Sequence, residues 1–151
     1  ARTVSWLRLP PPAGVLNGNT SLDEWFVHEA LRFIYKGEES PATWMWQYPA
    51  LGGRKIPGGA VIDFAILDHS PRIAMRVQTP RFHYATTEAR KEIDRAQKEA
   101  LTDNGWYVID LYSEYFRQDL SGKAVLYHVR RGLRYIQAMP PQSARISSAH
   151  G

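Results

Sequence analysis

The sequence predicts an α+β fold in which helices cover a mixed β-sheet, and three observations predict it. Apolar residues recur at helical spacing near both ends of the central region, at Leu22, Phe26, Ala30 and Phe33 and again at Val125, Leu126, Val129, Leu133 and Ile136. Four β-prone runs lie between those stripes, at 44–48, 61–67, 72–78 and 106–111. Their connections differ in kind. Asp68-His69-Ser70-Pro71 is turn chemistry for an antiparallel hairpin, whereas the long helical segment before the last run favours a parallel crossover, so strand directions have to mix. A chain of 151 residues with 44% hydrophobic content suits one domain with a real core.

Each element follows in order. Residues 1–19 read as an extended arm: Pro10, Pro11 and Pro12 favour polyproline geometry, and Trp6, Leu7 and Leu9 give it something to bury, on its own domain or on a neighbour. The domain itself is drawn over 20–137. Ser21 with Glu24 forms a capping-box signature, Asp23 and Glu24 suit the positive end of the helix dipole, and Gly37 is the expected stop. After the strand at 44–48 comes a glycine-rich basic loop at 52–59. Thr86 or Thr87 caps the long helix, which runs to about Asn104, with Gly105 as its left-handed terminator. The last helix is expected over Ser121–Ile136, and 138–151 form a polar tail.

Composition excludes several functions. With no cysteine there is no disulfide, thiolate zinc site or cysteine nucleophile. No apolar run is long enough to span a membrane, and the N-terminal stretch lacks the apolar segment of a secretory signal. The expected setting is therefore cytoplasm or an assembly built there. A net charge of +4 favours a polyanion or an acidic protein face as partner.

Motifs for small-ligand or nucleophilic chemistry are weak. Gly52–Gly59 is not a phosphate loop, because no Gly-Lys-Ser/Thr and no helix follow, although Arg54 and Lys55 can touch a nucleic-acid backbone. The serines form no nucleophile elbow, and the five histidines lack zinc-ligand spacing. Tyr127, Arg130, Arg131 and Arg134 share a face of the last helix, either as a grip for phosphates or an acidic partner or as a solvated basic face.

One succession of segments is more specific. GGRKIPGGA (52–60), VIDF (61–64), IAMRVQT (73–79), FHY (82–84), EIDRAQKEAL (92–101) and NGWYVIDL (104–111) follow one another. Over residues 21–135 this resembles the PD-(D/E)XK nucleases, with the closer likeness to the very-short-patch repair endonuclease-like branch. The resemblance implies a restriction-endonuclease-like αβββαβ core with a mixed central sheet, to which this chain adds a C-terminal helix and the N-terminal arm. It also implies that Asp63 stands at the metal-binding aspartate. Arg76 falls where a glutamate belongs, Gln78 where a lysine or aspartate belongs, and Thr79 replaces the usual glycine. His83 matches the histidine after the aromatic residue, Asp94 an acid on the following helix, and Glu24 or Glu29 a first-helix carboxylate. The pattern is similar to proteins of tailed phages, which implies a virion component near the head–tail junction or in the tail.

The departures decide the chemistry expected. Such nucleases hold Mg²⁺ with hard oxygen ligands, and the ion activates water and neutralises charge developing on phosphate. If Asp68–Pro71 is a four-residue turn, Asp63 lies directly opposite Arg76, with Cβ atoms about 5 Å apart. A guanidinium offers a cation no acceptor. At an effective dielectric of about 20, unit charges about 4 Å apart attract by about 4 kcal/mol before desolvation. The expectation is an Asp63–Arg76 ion pair, no metal, no cofactor and no catalysis, with Asp63, Arg76, Gln78, His83 and Asp94 vestigial. Alone, Asp63 reads better as a strand-end cap or a solvent-facing residue, His83 reads more often as a half-buried structural residue, and Asp94 with Lys98 reads as a solvated i, i+4 pair. The function expected is an inactive nuclease-fold module that contacts other subunits through its arm and tail, with nucleic-acid backbone as a further contact. Two alternatives stay open: an active Mg²⁺-dependent DNA endonuclease with a site rearranged around Asp63, His83, Asp94 and a first-helix glutamate, and a non-cleaving DNA-binding protein.

Overall fold

A computed structural model describes residues 6–18, 20–51, 60–80 and 87–138. Helix α1 spans Leu22–Tyr35. Ser21 is its N-cap, its hydroxyl accepting the Glu24 N–H at 3.2 Å as the sequence signature requires. The stop comes one residue before Gly37. Lys36 itself adopts the left-handed conformation, φ 55°, and its N–H reaches the Arg32 and Phe33 carbonyls. Strands β1 (Trp44–Ala50), β2 (Ala60–Ile66) and β3 (Arg72–Gln78) follow. Helix α2 (Glu88–Asp103) is capped by the Thr87 hydroxyl, and Gly105 takes the expected left-handed turn at φ 88°. After β4 (Trp106–Tyr112) comes a short 3₁₀ turn, Ser113–Tyr115, which the sequence did not signal. Helix α3 spans Lys123–Ala138. Its first turn is bound by Asp119, whose carboxylate accepts the Ser121 and Ala124 N–H groups, so the helix opens two residues later than expected.

The sheet is mixed, as the two kinds of connection require, in the order β1-β2-β3-β4. β2 and β3 pair antiparallel with Phe64 opposite Met75, Ala65 opposite Ala74 and Ile66 opposite Ile73. That is the register a four-residue turn dictates. β3 and β4 pair in parallel over their whole length, from Arg72 beside Trp106 to Gln78 beside Tyr112. The Tyr35 hydroxyl donates to Asp68 at 2.9 Å and ties the hairpin turn to the end of α1.

Side-chain alternation then builds three layers. Phe64, Ile66, Ile73, Met75 and Leu111 face α1 and α3, meeting Phe26, Val27 and Leu31 from one helix and Val125, Val129 and Leu133 from the other. The opposite face is thinner. Ala65 and Ala74 let α2 approach, but Leu101 is the only α2 residue buried there, against Trp106. Arg72 covers the Trp106 ring at 4.2 Å.

Part of the arm lies on its own domain. Leu7 is in the main core, the Trp6 ring meets Phe33 at 5.1 Å, and Trp25 Nε1 donates to the Arg8 carbonyl at 2.7 Å. Residues 1–5, the basic loop at 52–59 with Arg54 and Lys55, the FHY segment with His83, the Ile136 side chain and the tail at 139–151 lie outside the described residues. Among the described residues no helix is long and apolar enough to cross a membrane.

Candidate functional site

The candidate residues meet where the C-terminal halves of β3 and β4 pass under α2. Alternation turns Ala74, Arg76 and Gln78 of β3 toward α2, together with Asp110 of β4, which lies beside Arg76 in the parallel register. Asp94, on the first half of α2, comes down from above. The result is a guanidinium between two carboxylates. Arg76 Nε donates to Asp110 Oδ1 at 2.8 Å and Nη2 to Oδ2 at 3.2 Å. On the other side Nη1 donates to Asp94 Oδ1 at 2.6 Å and Nη2 to Oδ2 at 3.3 Å. Arg76 is only 8% exposed.

This corrects the expected Asp63–Arg76 pair. The hairpin register is the expected one, yet the pairing ends at Phe64–Met75. Asp63 uses its carboxylate differently, accepting the backbone N–H of Val77 at 2.8 Å. Arg76 turns away because β4 offers a fork-shaped match at the neighbouring position and α2 offers a second. The i, i+4 reading of Asp94 and Lys98 is corrected too. The Lys98 ammonium lies 3.8 Å from Asp110 Oδ2, while Asp94 is taken by Arg76.

Gln78 completes the set, its amide donating to Asp110 Oδ1 at 3.1 Å. Two cations, Arg76 and Lys98, therefore face two anions, Asp94 and Asp110, and the cluster is formally neutral. Burial works against both Arg76 and Asp110 in their charged forms. The hydrogen bonds and opposite charge that they share outweigh it, holding Asp110 below the ordinary carboxylate range and Arg76 above its ordinary value. Such a site can brace β3, β4 and α2. It offers no open anionic cage, and no group of three or more His, Asp or Glu side chains suited to a metal ion occurs among the described residues.

The first-helix carboxylates have other partners. Glu24 accepts from Trp46 Nε1 at 3.0 Å and Gln47 Nε2 at 2.8 Å, and burial raises its pKa despite those bonds. Glu29 is fully buried. Arg8 grips it with Nε at 2.7 Å and Nη2 at 2.8 Å, Arg32 adds Nε at 3.2 Å, and His28 Nδ1 lies at 3.0 Å. Burial alone would raise the Glu29 pKa, but the donors of Arg8, His28 and Arg32 drive it far below the ordinary range.

The basic stripe of α3 divides. Arg130 leans over the Phe33 ring of α1 at 5.8 Å, and Arg131 lines a groove beside β4, with Arg134 exposed beyond it. Sequence reasoning missed Asp110 and the Arg8–Glu29–Arg32 lock. Asp110 had a signal, since an acidic residue inside WYVIDLY is the same anomaly that drew attention to Asp63. Arg8 had none, because nothing local links it to a helix position 21 residues away. Compared with family models, with curated proteins and with solved structures, the chain matches none.

Proposed function

We propose that this chain is a restriction-endonuclease-like scaffold whose catalytic centre has been replaced by ion pairs, and that it serves as a non-catalytic interaction module in a larger assembly. The tailed-phage virion implied by the resemblance is the setting that goes with this reading. The order of α1, three strands, α2 and a fourth strand agrees with it. The observation that carries it is the Arg76 guanidinium, which holds both Asp94 and Asp110 where hydrolysis would need carboxylates open to a divalent ion. Loading Mg²⁺ there would leave a buried cation beside the ion and strip it of its counter-charges.

The test is plasmid nicking with Mg²⁺ or Mn²⁺ beside an Asp63→Ala control, paired with calorimetric titration of each metal. The expected result is no nicking and no metal heat in either protein. Metal-dependent nicking that disappears in Asp63→Ala would overturn the proposal in favour of a rearranged endonuclease. DNA binding without cleavage, steeply weakened by salt and by changing Arg130, Arg131 and Arg134 together, would instead identify a DNA-binding protein.

A further inference from the structure

A cleft of about 600 Å³ lies where Trp6 of the arm, the C-terminal end of α1 and Arg130 of α3 come together, with Phe33, Lys36 and Glu38 also in its lining. Its apolar part is aromatic. Phe33 is 39% exposed, although helical spacing would send it to the core, and its ring lies 5.1 Å from that of Trp6. Trp6 is fixed in place. Its carbonyl accepts from Arg32 Nη2 at 2.7 Å, and its indole packs so closely on Gly122 that an added Cβ there would lie 2.6 Å away. The aromatic pair is thus set before any partner arrives, which lowers the cost of binding one.

The charges of the cleft do not balance. Arg32 is committed to Glu29 and to the Trp6 carbonyl. Glu38, the one acid in the lining, acts on Arg8, which is held above its ordinary value first by its hydrogen bond to Glu29 and also by the Glu38 charge. Lys36 and Arg130 are both exposed, and among the described residues no carboxylate lies within ion-pair distance of either. Arg130 lies over the Phe33 ring instead, at 5.8 Å. All 15 Asp and Glu residues of the sequence fall among the described residues. The segments outside them, such as 1–5 with Arg2 and 139–151 with Arg145, carry cations and no acidic side chain. No acidic side chain of this chain is left to match Lys36 and Arg130, so their complement has to come from another molecule.

We infer that this cleft seats an acidic segment of a partner protein, with one aromatic side chain against Phe33 and Trp6 and carboxylates beside Lys36 and Arg130. Concave aromatic patches flanked by arginine are where protein interfaces concentrate their binding energy. A second copy of this chain fits poorly, because the exposed acids of its α2, Glu88, Glu92 and Glu99, are already paired with Lys91 and Arg95. Nucleic acid fits poorly too. Its phosphates come in an unbroken row, whereas Lys36 and Arg130 share the cleft with Glu38 and with the negative C-terminal end of α1. A peptide can space its carboxylates to meet the cations and avoid the rest. This face and partner class go beyond the function proposed above and do not depend on the Arg76 cluster.

The test is fluorescence polarisation in EDTA, using the full chain and a labelled, end-blocked heptapeptide with a central phenylalanine between aspartates. Controls are the same peptide with serine for phenylalanine, the same peptide with asparagine for every aspartate, and labelled oligothymidylate. Saturable binding of the acidic aromatic peptide is expected, weakened about tenfold by either peptide change and by Arg130→Glu or Lys36→Glu. Both residues are exposed, so these variants keep the fold, which unfolding curves verify. Lys91→Glu, which reverses an exposed charge on α2 outside the cleft, should bind as the parent does. Absence of binding, equal binding of the serine or asparagine peptide, equal loss in Lys91→Glu, or preference for oligothymidylate would each overturn the inference. A dimer in sedimentation that Arg130→Glu dissociates would assign the cleft to a second copy and overturn it as well. Because the readout excludes divalent metal, discovery of cleavage activity would leave this result standing, and failure here would leave the non-catalytic reading standing.

Discussion

Arg76 decides how the candidate site is wired through its choice of partner. A count across one hairpin places it opposite Asp63, and that count is correct for the backbone register. It fails for the side chain because a strand has two neighbours and a helix above it. Asp110 and Asp94 together offer a planar fork two matching carboxylates, whereas Asp63 spends its oxygen on the Val77 N–H. Removing the guanidinium leaves two acids close together and poorly solvated. Arg76→Ala is therefore expected to lower stability by about 3–5 kcal/mol, read from urea or thermal unfolding. A loss below about 1 kcal/mol would show that the cluster behaves as a surface pair. Acid sensitivity follows from the same residues. Glu29 and Asp110 have folded pKa values below their unfolded ones, so the stability they add is complete above the ordinary carboxylate range and drains as pH falls through the depressed values. Glu24, with a raised pKa, contributes in the opposite sense, its share being lost as pH rises through the raised value. Melting temperature should thus fall steeply below about pH 4. In Glu29→Gln it should start lower and fall less steeply; parallel curves would contradict the assignment.

At the scale of elements, termini and interfaces matter more than propensity. The stop of α1 was legible to within one residue, but Gly37 was the wrong residue to name. The left-handed position falls on Lys36, where a Cβ is strained. Lys36→Gly should stabilise by roughly 0.5–1 kcal/mol, the backbone strain relieved exceeding the entropy that glycine adds to the unfolded chain. Gly122→Ala should do the reverse. Its φ is 80°, and an added Cβ would lie 2.6 Å from the Trp6 ring, so the arm would have to shift. A drop of at least about 2 kcal/mol in chemical denaturation is expected; a neutral result would show that Trp6 does not rest on Gly122. Helix α2 is the least buried of the three described helices, with Leu101 alone buried. Ile93 is 59% exposed, and its salt links among Glu88, Lys91, Glu92, Arg95 and Glu99 lie in solvent, where such pairs add little. Its docking rests on Leu101 and on Asp94. Asp94→Asn should therefore release α2 before the sheet, seen as faster hydrogen exchange confined to 88–103 while β2 and β3 stay protected. Uniform acceleration along the chain would argue against that independence.

Over the whole molecule, the described part of the arm belongs to the fold, through Trp6, Leu7 and Arg8. Leu7 is in the core, Arg8 neutralises a fully buried carboxylate, and the Trp6 carbonyl accepts from Arg32 at 2.7 Å. Truncation before Pro10 should lower the melting temperature sharply, since it removes a buried leucine, worth about 1.5–3 kcal/mol, and uncovers Glu29. An unchanged melting curve would place the arm outside the cooperative unit. The α+β class, the mixed sheet and the hairpin register were all readable in advance. They depend on periodicity, capping residues and turn chemistry, which are properties of neighbours in the chain. Readable too was Arg76 as a cation set among β-prone apolar residues, and so a group in need of a counter-charge. Which carboxylates that cation binds and where the described part of the arm lies were settled only when distant segments packed. Those outcomes depend on pairs separated by tens of residues, such as Arg76 with Asp110 or Arg8 with Glu29, whose energies exist only after the chain has closed on itself, and no local pattern encodes them.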